Sequence, residues 1–233
     1  MAVAQPLRVA TEGAYPPFNM IDANGELTGF DVDIAKALCA AMSRSCELQV
    51  VAWDTIIEGL EQGKYEVIVA SMAKTPERDA RMEYTDYYYR SATAFVGRAG
   101  TPFTLSREGL AGKTLSAQAG TVQADYLKEK YPDSTLVFPE TMAMVNAGLV
   151  AGTTDLGLMD DFSALDFFNT PEGELFDFVG EPLTDAEPYG TAYIQVTKGN
   201  VQLKDAINEA LRQIRLDGSY ARINAKYFPF SIY

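Results

Sequence analysis

Short apolar runs alternate with segments whose apolar residues recur every three or four positions, and this rhythm runs through most of the chain. Residues 7–11, LRVAT, read as a strand, with Glu12-Gly13-Ala14-Tyr15-Pro16-Pro17-Phe18 as the loop after it. Asp22-Ala23-Asn24-Gly25-Glu26 is a turn signal between two short extended runs. A helix is expected from Asp31, with Ile34, Leu38 and Met42 at four-residue spacing behind Phe30. Strand 46–52 leads to Trp53-Asp54, where Asp54 is expected to cap a helix carrying Ile56, Ile57 and Leu60 on its apolar face. Gly63 ends that helix. Val67-Ile68-Val69-Ala70, apolar and largely β-branched, then reads as a buried strand. A brief loop, Ser71-Met72-Ala73-Lys74, enters a helix at Thr75-Pro76-Glu77. Thr75 is a good N-cap, and Pro76 fits the first helical position, where a missing N–H costs nothing.

An extended segment over 91–97 follows Tyr87-Tyr88-Tyr89, and the pattern then restarts. Strand 114–118, loop Ala119-Gly120-Thr121 and a helix over about 122–130 are followed by strand 135–138 and helix 141–151, with Gly152 as a C-cap candidate. Strand 156–159 runs into Asp160-Asp161 ahead of helix 162–169. A loop over 184–190, strand 191–197, and helices 201–215 and 219–227 on either side of Asp217-Gly218 complete the chain. Strands alternating with helices through short connections predict α/β sheets covered on both faces. Residues 7–90 and 112–169 share this order in a loose two-fold similarity, and each half offers the strand-end loops where an open α/β sheet places ligands. Two crossings between the halves, near 91–96 and 184–192, would leave the C-terminal helix packed on the first half.

The 233 residues suffice for one large domain or two small ones. With 32 Asp and Glu against 19 Lys and Arg, a net charge of −13 argues against nucleic acid or an anionic lipid surface as partner. Histidine is absent, which removes His-based triads, His metal sites and imidazole acid–base catalysis together. No metal and no cofactor are expected. No run of 18 apolar residues occurs, so no membrane-spanning helix is expected. Met1-Ala2-Val3-Ala4 carries the small-residue pattern at which signal peptides are cut, which suggests a mature exported protein restarted with Met; an ordinary cytosolic start is the alternative. Cys39 closes a helical pattern and Cys46 opens the next strand. The two could be bridged if their Cα atoms come within about 7 Å, or could be unlinked core thiols. An export compartment would account for a bridge and for the Ala-Val-Ala pattern at once.

Arg78 lies in the first turn of its expected helix, where a cation opposes the helix dipole at a loss of up to about 1 kcal/mol. Either something else needs the guanidinium there, such as a ligand carboxylate, or Arg78 is a surface residue paired with Glu77 or Asp79.

Four segments carry a family resemblance: TEGAYPPF (11–18), GFDVDIAKALC (29–39), EVIVASMAKTPERDARMEYTDYYY (66–89) and DGSYARINAKYF (217–228). They resemble the polar amino-acid family of periplasmic solute-binding proteins, the lysine/arginine/ornithine, histidine, arginine and opine receptors of ABC importers. The resemblance implies a two-lobe, periplasmic-binding-protein-like (class II) α/β fold with two crossover hinge strands and the ligand in the cleft. Residues 1–91 and 191–233 would form one lobe and 92–190 the other. It also implies a disulfide between Cys39 and Cys46. By motif, Arg78 would grip the ligand α-carboxylate, helped by the Ala73 main-chain N–H and by Thr121. Asp160 would take the α-ammonium, with the Ser71 carbonyl beside it. Tyr15 and Trp53 would sandwich the ligand side chain, and Glu12, Ala70, Gln118 and Gln123 would read its far end. Two departures stand out: Ala73 lacks the hydroxyl that relatives carry, and Gln118 replaces an often apolar residue. Each position also has a purely structural reading: Trp53 as core, Asp160 as a helix cap, Tyr15 as turn packing, and Glu12 as a solvated loop acid.

The function implied is binding without chemistry. A periplasmic, monomeric receptor of an ABC importer would close on a polar, and with Glu12 and two aromatic faces a basic, L-amino acid of the lysine/arginine/ornithine class. The membrane subunits of the importer would recognise the closed form. The rival is a cyclohexadienyl (prephenate/arogenate) dehydratase-like enzyme on the same fold, with Glu12 or Asp160 as general acid.

Overall fold

The computed structural model describes residues 5–183 and 189–233, which form two compact α/β units. One ends at Arg90 and resumes over Thr191–Tyr233; the other is Ser91–Gly190. The expected cleavage pattern at residues 1–4, and residues 184–188 of the second expected crossing, lie outside the described residues.

The first unit is built on a five-stranded sheet in the order Cys46–Val50, Leu7–Thr11, Val67–Met72, Thr191–Thr197, Met82–Arg90. The first three strands are parallel. Thr191–Thr197 inserts antiparallel between Val67–Met72 and Met82–Arg90. Val67 to Ala70 are buried without alternation, as befits a central strand covered on both faces. One face packs Ile56, Leu60, Tyr65, Ile68 and Met82. An aromatic cluster includes Phe18 stacked on Tyr89 with centroids 4.7 Å apart, and Phe30 edge-on to Phe228 at 5.5 Å. Helix Val201–Leu216 buries Ile207, Ala210, Leu211 and Ile214, one stripe of an amphipathic helix. Cys39 and Cys46 form a disulfide with a Cα separation of 5.8 Å, joining helix Phe30–Ala41 to the first residue of an edge strand.

The second unit repeats the plan with a sheet ordered Thr135–Val137, Thr114–Ser116, Leu156–Asp160, Thr93–Arg98, Phe176–Leu183. Its first three strands are parallel and the last two pairings antiparallel. Leu115, Leu127, Leu156 and Leu158 centre its core.

Several local expectations are corrected. Ser71 and Met72 are not loop but complete the strand Val67–Met72. Asp54 is not a cap: Trp53–Thr55 is a 3-10 turn whose backbone is already helical, and helix Ile56–Glu61 starts after Thr55 without a side-chain cap. The helix expected at Asp31 begins at Phe30, with Gly29 in the capping position. Two strands were illegible. Met82–Arg90 breaks its inside–outside alternation at bulges opposite Ala192–Gln195, so Tyr88 and Tyr89 are both buried. Phe176–Leu183 is an edge strand interrupted by Gly180 and Pro182, with a register shift between Val179 and Leu183.

Gly29 holds the start of the first helix against the preceding loop. Its φ is 126°, and a Cβ there would run into the backbone of Phe18 and Asn19. The close approach lets the Phe18 carbonyl accept from the Asp31 amide at 2.7 Å. Gly29→Ala is expected to lose at least about 2 kcal/mol, combining a strained backbone with a steric clash. Urea unfolding of the variant measures it, and a loss below about 0.5 kcal/mol would show that the approach is not needed.

Candidate ligand-binding site

In the first unit, three parallel strands end at a common edge, and the segments leaving that edge carry Glu12, Trp53 and residues 71–78. Glu12 follows Leu7–Thr11 directly and is 7% exposed, so it is not a solvated loop acid. Tyr15 pairs with Asn19 in a small antiparallel sheet and stacks on Phe18 with centroids 5.7 Å apart. Trp53 is half-buried against the core, and the Arg78 guanidinium lies 5.5 Å from its ring centroid. Arg78 sits in a single helical turn, Pro76–Asp79, whose cap Thr75 accepts from the Arg78 amide at 3.2 Å. Its Nη1 donates to the Ala73 carbonyl at 3.0 Å. The neighbouring Asp79 pairs with Lys74 at 2.9 Å. Ala70 is buried, Ala73 is half-buried, and Ser71 between them has a left-handed φ of 53°.

Ser71 is held from two directions. Its amide donates to the Tyr88 hydroxyl at 2.9 Å, and its own hydroxyl donates to Asp31 at 2.9 Å. Burial pushes the Asp31 carboxyl up to about 6, against the opposing hydrogen bonds of Tyr88, Asn19 and Ser71.

In the second unit the same logic places Gln118, Thr121 and Asp160 beyond or at the ends of parallel strands. Asp160 is the last residue of Leu156–Asp160, is 6% exposed, and caps helix Asp161–Phe168 by accepting from the Phe162 amide at 3.0 Å. It also accepts from the Ser91 hydroxyl. The capping role does not exhaust a carboxylate, which offers about four lone-pair sites. Burial first, and the Asp161 charge second, hold the Asp160 carboxyl above the usual carboxylate range. An ammonium placed against it would stabilise the ionised form.

Thr121 caps helix Val122–Lys130, accepting from the Ala124 amide at 3.2 Å while its hydroxyl donates to the Gln118 carbonyl at 2.7 Å. Gln118 is 2% exposed and its Nε2 donates to the Glu140 carbonyl at 3.1 Å. Gln123 donates to the Thr93 hydroxyl at 3.0 Å, and Thr93 lies opposite Asp160 in register. Among the described residues, no group of three or more metal-ligating side chains could hold an ion.

The structure therefore gathers Glu12, Trp53, Ala70, Ser71, Ala73 and Arg78 on one strand edge, and Gln118, Thr121, Gln123 and Asp160 around the corresponding edge of the other unit. Sequence reasoning missed the supporting residues Asn19, Asp31, Tyr88, Ser91 and Thr93. Asp31 had a signal: it falls on the stripe of Ile34, Ala35 and Leu38, so a carboxylate points where an apolar side chain belongs.

Residues 7–230 match the family of bacterial extracellular solute-binding proteins, family 3. The L-arginine-binding protein of Pseudomonas aeruginosa is 34% identical over 236 aligned residues, spanning all of this chain and 91% of that protein. Among solved structures, an ancestral arginine-binding protein bound to arginine has 32% identity and a TM-score of 0.89, covering 97% of this chain and 99% of that one. An ancestral amino acid-binding protein, a precursor of cyclohexadienyl dehydratase, has 28% identity and a TM-score of 0.86, covering 96% and 95%. All three are named as binding proteins. On the strength of a match over nearly its whole length, the chain belongs to the bacterial extracellular solute-binding proteins, family 3.

Proposed function

We propose that this protein is the periplasmic receptor of an ABC importer and binds a basic L-amino acid of the lysine, arginine and ornithine class. The observation that carries the reading is a pair of opposite charges on one strand edge: Arg78, and Glu12 buried to 7% exposure. A zwitterion with a cationic side chain needs a cation for its carboxylate, an acid for its ammonium and a second acid for its far end. Arg78, Asp160 and Glu12 supply these in turn. Tyr15 and Trp53 offer faces that attract cations. Ala70, Gln118 and Gln123 would line the far end. The Ala73 amide, the Ser71 carbonyl and Thr121 would complete the grip on the α-groups. No Lys or Arg stands at the far-end positions, so an acidic ligand side chain would face the Glu12 carboxyl with no cation supplied by those positions. Solute-binding relatives named for arginine support the same class.

The remaining steps belong to the same proposal, and family membership supports them. The signal peptide is removed on export, and an oxidising compartment suits the Cys39–Cys46 disulfide. The chain acts as a monomer in two lobes, 1–91 with 191–233 and 92–190, hinged near 91–96 and 184–192. A ligand that touches both lobes only in the closed form shifts the population toward closure, and the importer's membrane subunits read that form.

Arg78→Ala is expected to fold normally and lose amino-acid binding. Removing one member of a desolvated charge pair costs about 2–5 kcal/mol, and calorimetry showing less than about a tenfold loss would take Arg78 out of the site. In a thermal-shift panel of amino acids, arginine, lysine and ornithine are expected to stabilise the protein most. If glutamate or a neutral amino acid stabilises it most, the assignment is wrong. Glu12→Gln should then weaken arginine binding by about tenfold to a hundredfold, the loss of one charge-assisted contact. Unchanged arginine binding by that variant would keep the ligand class and strip Glu12 of its role. Small-angle scattering is expected to show a smaller radius of gyration at saturating arginine, and an identical profile would contradict lobe closure.

A further inference from the structure

Asp31 stands in the first turn of helix Phe30–Ala41 with no solvent exposure. Its Oδ2 accepts from Asn19 Nδ2 at 2.7 Å and from the Ser71 hydroxyl at 2.9 Å, and its Oδ1 accepts from the Tyr88 hydroxyl at 2.6 Å. Each of these donors is neutral, so burial of the charge costs stability that an apolar residue on this stripe would not. The two residues beyond them make the arrangement more than a satisfied carboxylate. Asn19 Oδ1 accepts from the Gly13 amide at 2.7 Å, inside the segment between Glu12 and Tyr15. The Tyr88 hydroxyl accepts from the Ser71 amide at 2.9 Å, at the start of the segment that leads to Ala73 and Arg78. Ser71 is one of two non-glycine residues with a left-handed φ among the described residues, a conformation that its surroundings must enforce.

We propose that Asp31 is a positioning residue for the amino-acid site: through Asn19 and Tyr88 it fixes the Glu12–Tyr15 segment and the Ser71–Arg78 segment relative to each other. This rests on the basic amino-acid reading above. The ionised carboxylate accepts from all three donors and brings no proton of its own that needs an acceptor. Protonation turns one acceptor site into a donor facing hydroxyls and an amide that are already donating. Burial places that protonation near a pH of about 6, inside an accessible range. Three titratable groups lie nearest Asp31. Tyr88 and Tyr220 are phenols that burial holds protonated, and on the same helix Asp33 is paired with Lys226 at 2.7 Å and bonded to Tyr227.

The test is calorimetric titration of L-arginine into wild type, Asp31→Asn and Tyr88→Phe between about pH 5 and pH 7.5, with a thermal melt of each protein. Wild type that binds neither arginine nor lysine at any pH overturns the basic-ligand reading, and this proposal falls with it. With wild type binding, Asp31→Asn is expected to weaken arginine by about tenfold at the upper pH. The ratio of the two dissociation constants should shrink toward unity at the lower pH, as wild-type Asp31 takes up its proton. Any pH dependence that arises away from residue 31 is common to the two proteins and cancels from the ratio. A folded Asp31→Asn that binds within about twofold of wild type throughout overturns the proposal, as does a ratio that stays constant with pH, the signature of packing alone. If Asp31→Asn does not fold, Tyr88→Phe decides: a loss of about threefold or more at the upper pH supports the positioning role, and a smaller change overturns it.

Discussion

The carboxylate of Asp31 is buried where the first helix meets the sheet, and three neutral donors from three different segments converge on it. Two features make the meeting possible. Gly29 lets the helix start pass against the Phe18 carbonyl, and the amide of Asp31 itself is bonded to that carbonyl. The hydroxyl of Tyr88 reaches the site because Met82–Arg90 is bulged, which turns both Tyr88 and Tyr89 inward. A helix start, a bulged strand and a left-handed serine are thus mutually supporting: each is costly alone, and each supplies the partner that another needs.

Both units solve the problem of presenting polar groups with the same device. Parallel strands deliver their C-terminal ends to one edge, and the residue capping the following helix sits half outside that helix with an extended backbone. Thr75, Thr121 and Asp160 are all such caps, each accepting a hydrogen bond from a backbone amide of the helix it opens. Two of these caps, Thr121 and Asp160, are also among the residues proposed to border the ligand. The amides of the first turn add partial positive charge, which suits a carboxylate at the Arg78 end.

Selectivity is a matter of which charges are desolvated. Arg78 is placed by its cap, by the Ala73 carbonyl and by the Trp53 face, so its guanidinium is oriented by the scaffold. Trp53 thereby takes on a second task beside the one that the family resemblance implies: it backs the arginine as well as the proposed ligand side chain. Asp160 accepts from neutral donors within its unit and has the Asp161 charge beside it, a setting in which the proposed ligand ammonium would stabilise its ionised form. A charge constellation of this kind favours recognition of a zwitterion over general acid chemistry, in keeping with relatives that are solute-binding proteins.

The periodicity of apolar residues by itself determined most elements, because buried parallel strands and amphipathic helices write themselves into short-range pattern. It located LRVAT, the strand from Val67 and the helix with Ile207, Leu211 and Ile214, and two of the four family segments carry Glu12, Tyr15, Ala70, Ser71, Ala73 and Arg78. Capping by Thr75 was equally legible, since an N-cap is a local exchange between a side chain and an amide three residues away. The strands Met82–Arg90 and Phe176–Leu183 were hidden because bulges and an exposed edge erase alternation. The extension of the central strand through Ser71 and Met72 is written in neither propensity nor pattern. It depends on a carboxylate 40 residues earlier and a phenol 17 residues later. The apolar stripe of the first helix turns Asp31 inward, and only the tertiary structure decided that neutral donors meet it there, because the free energy of a buried charge is set by what surrounds it in space.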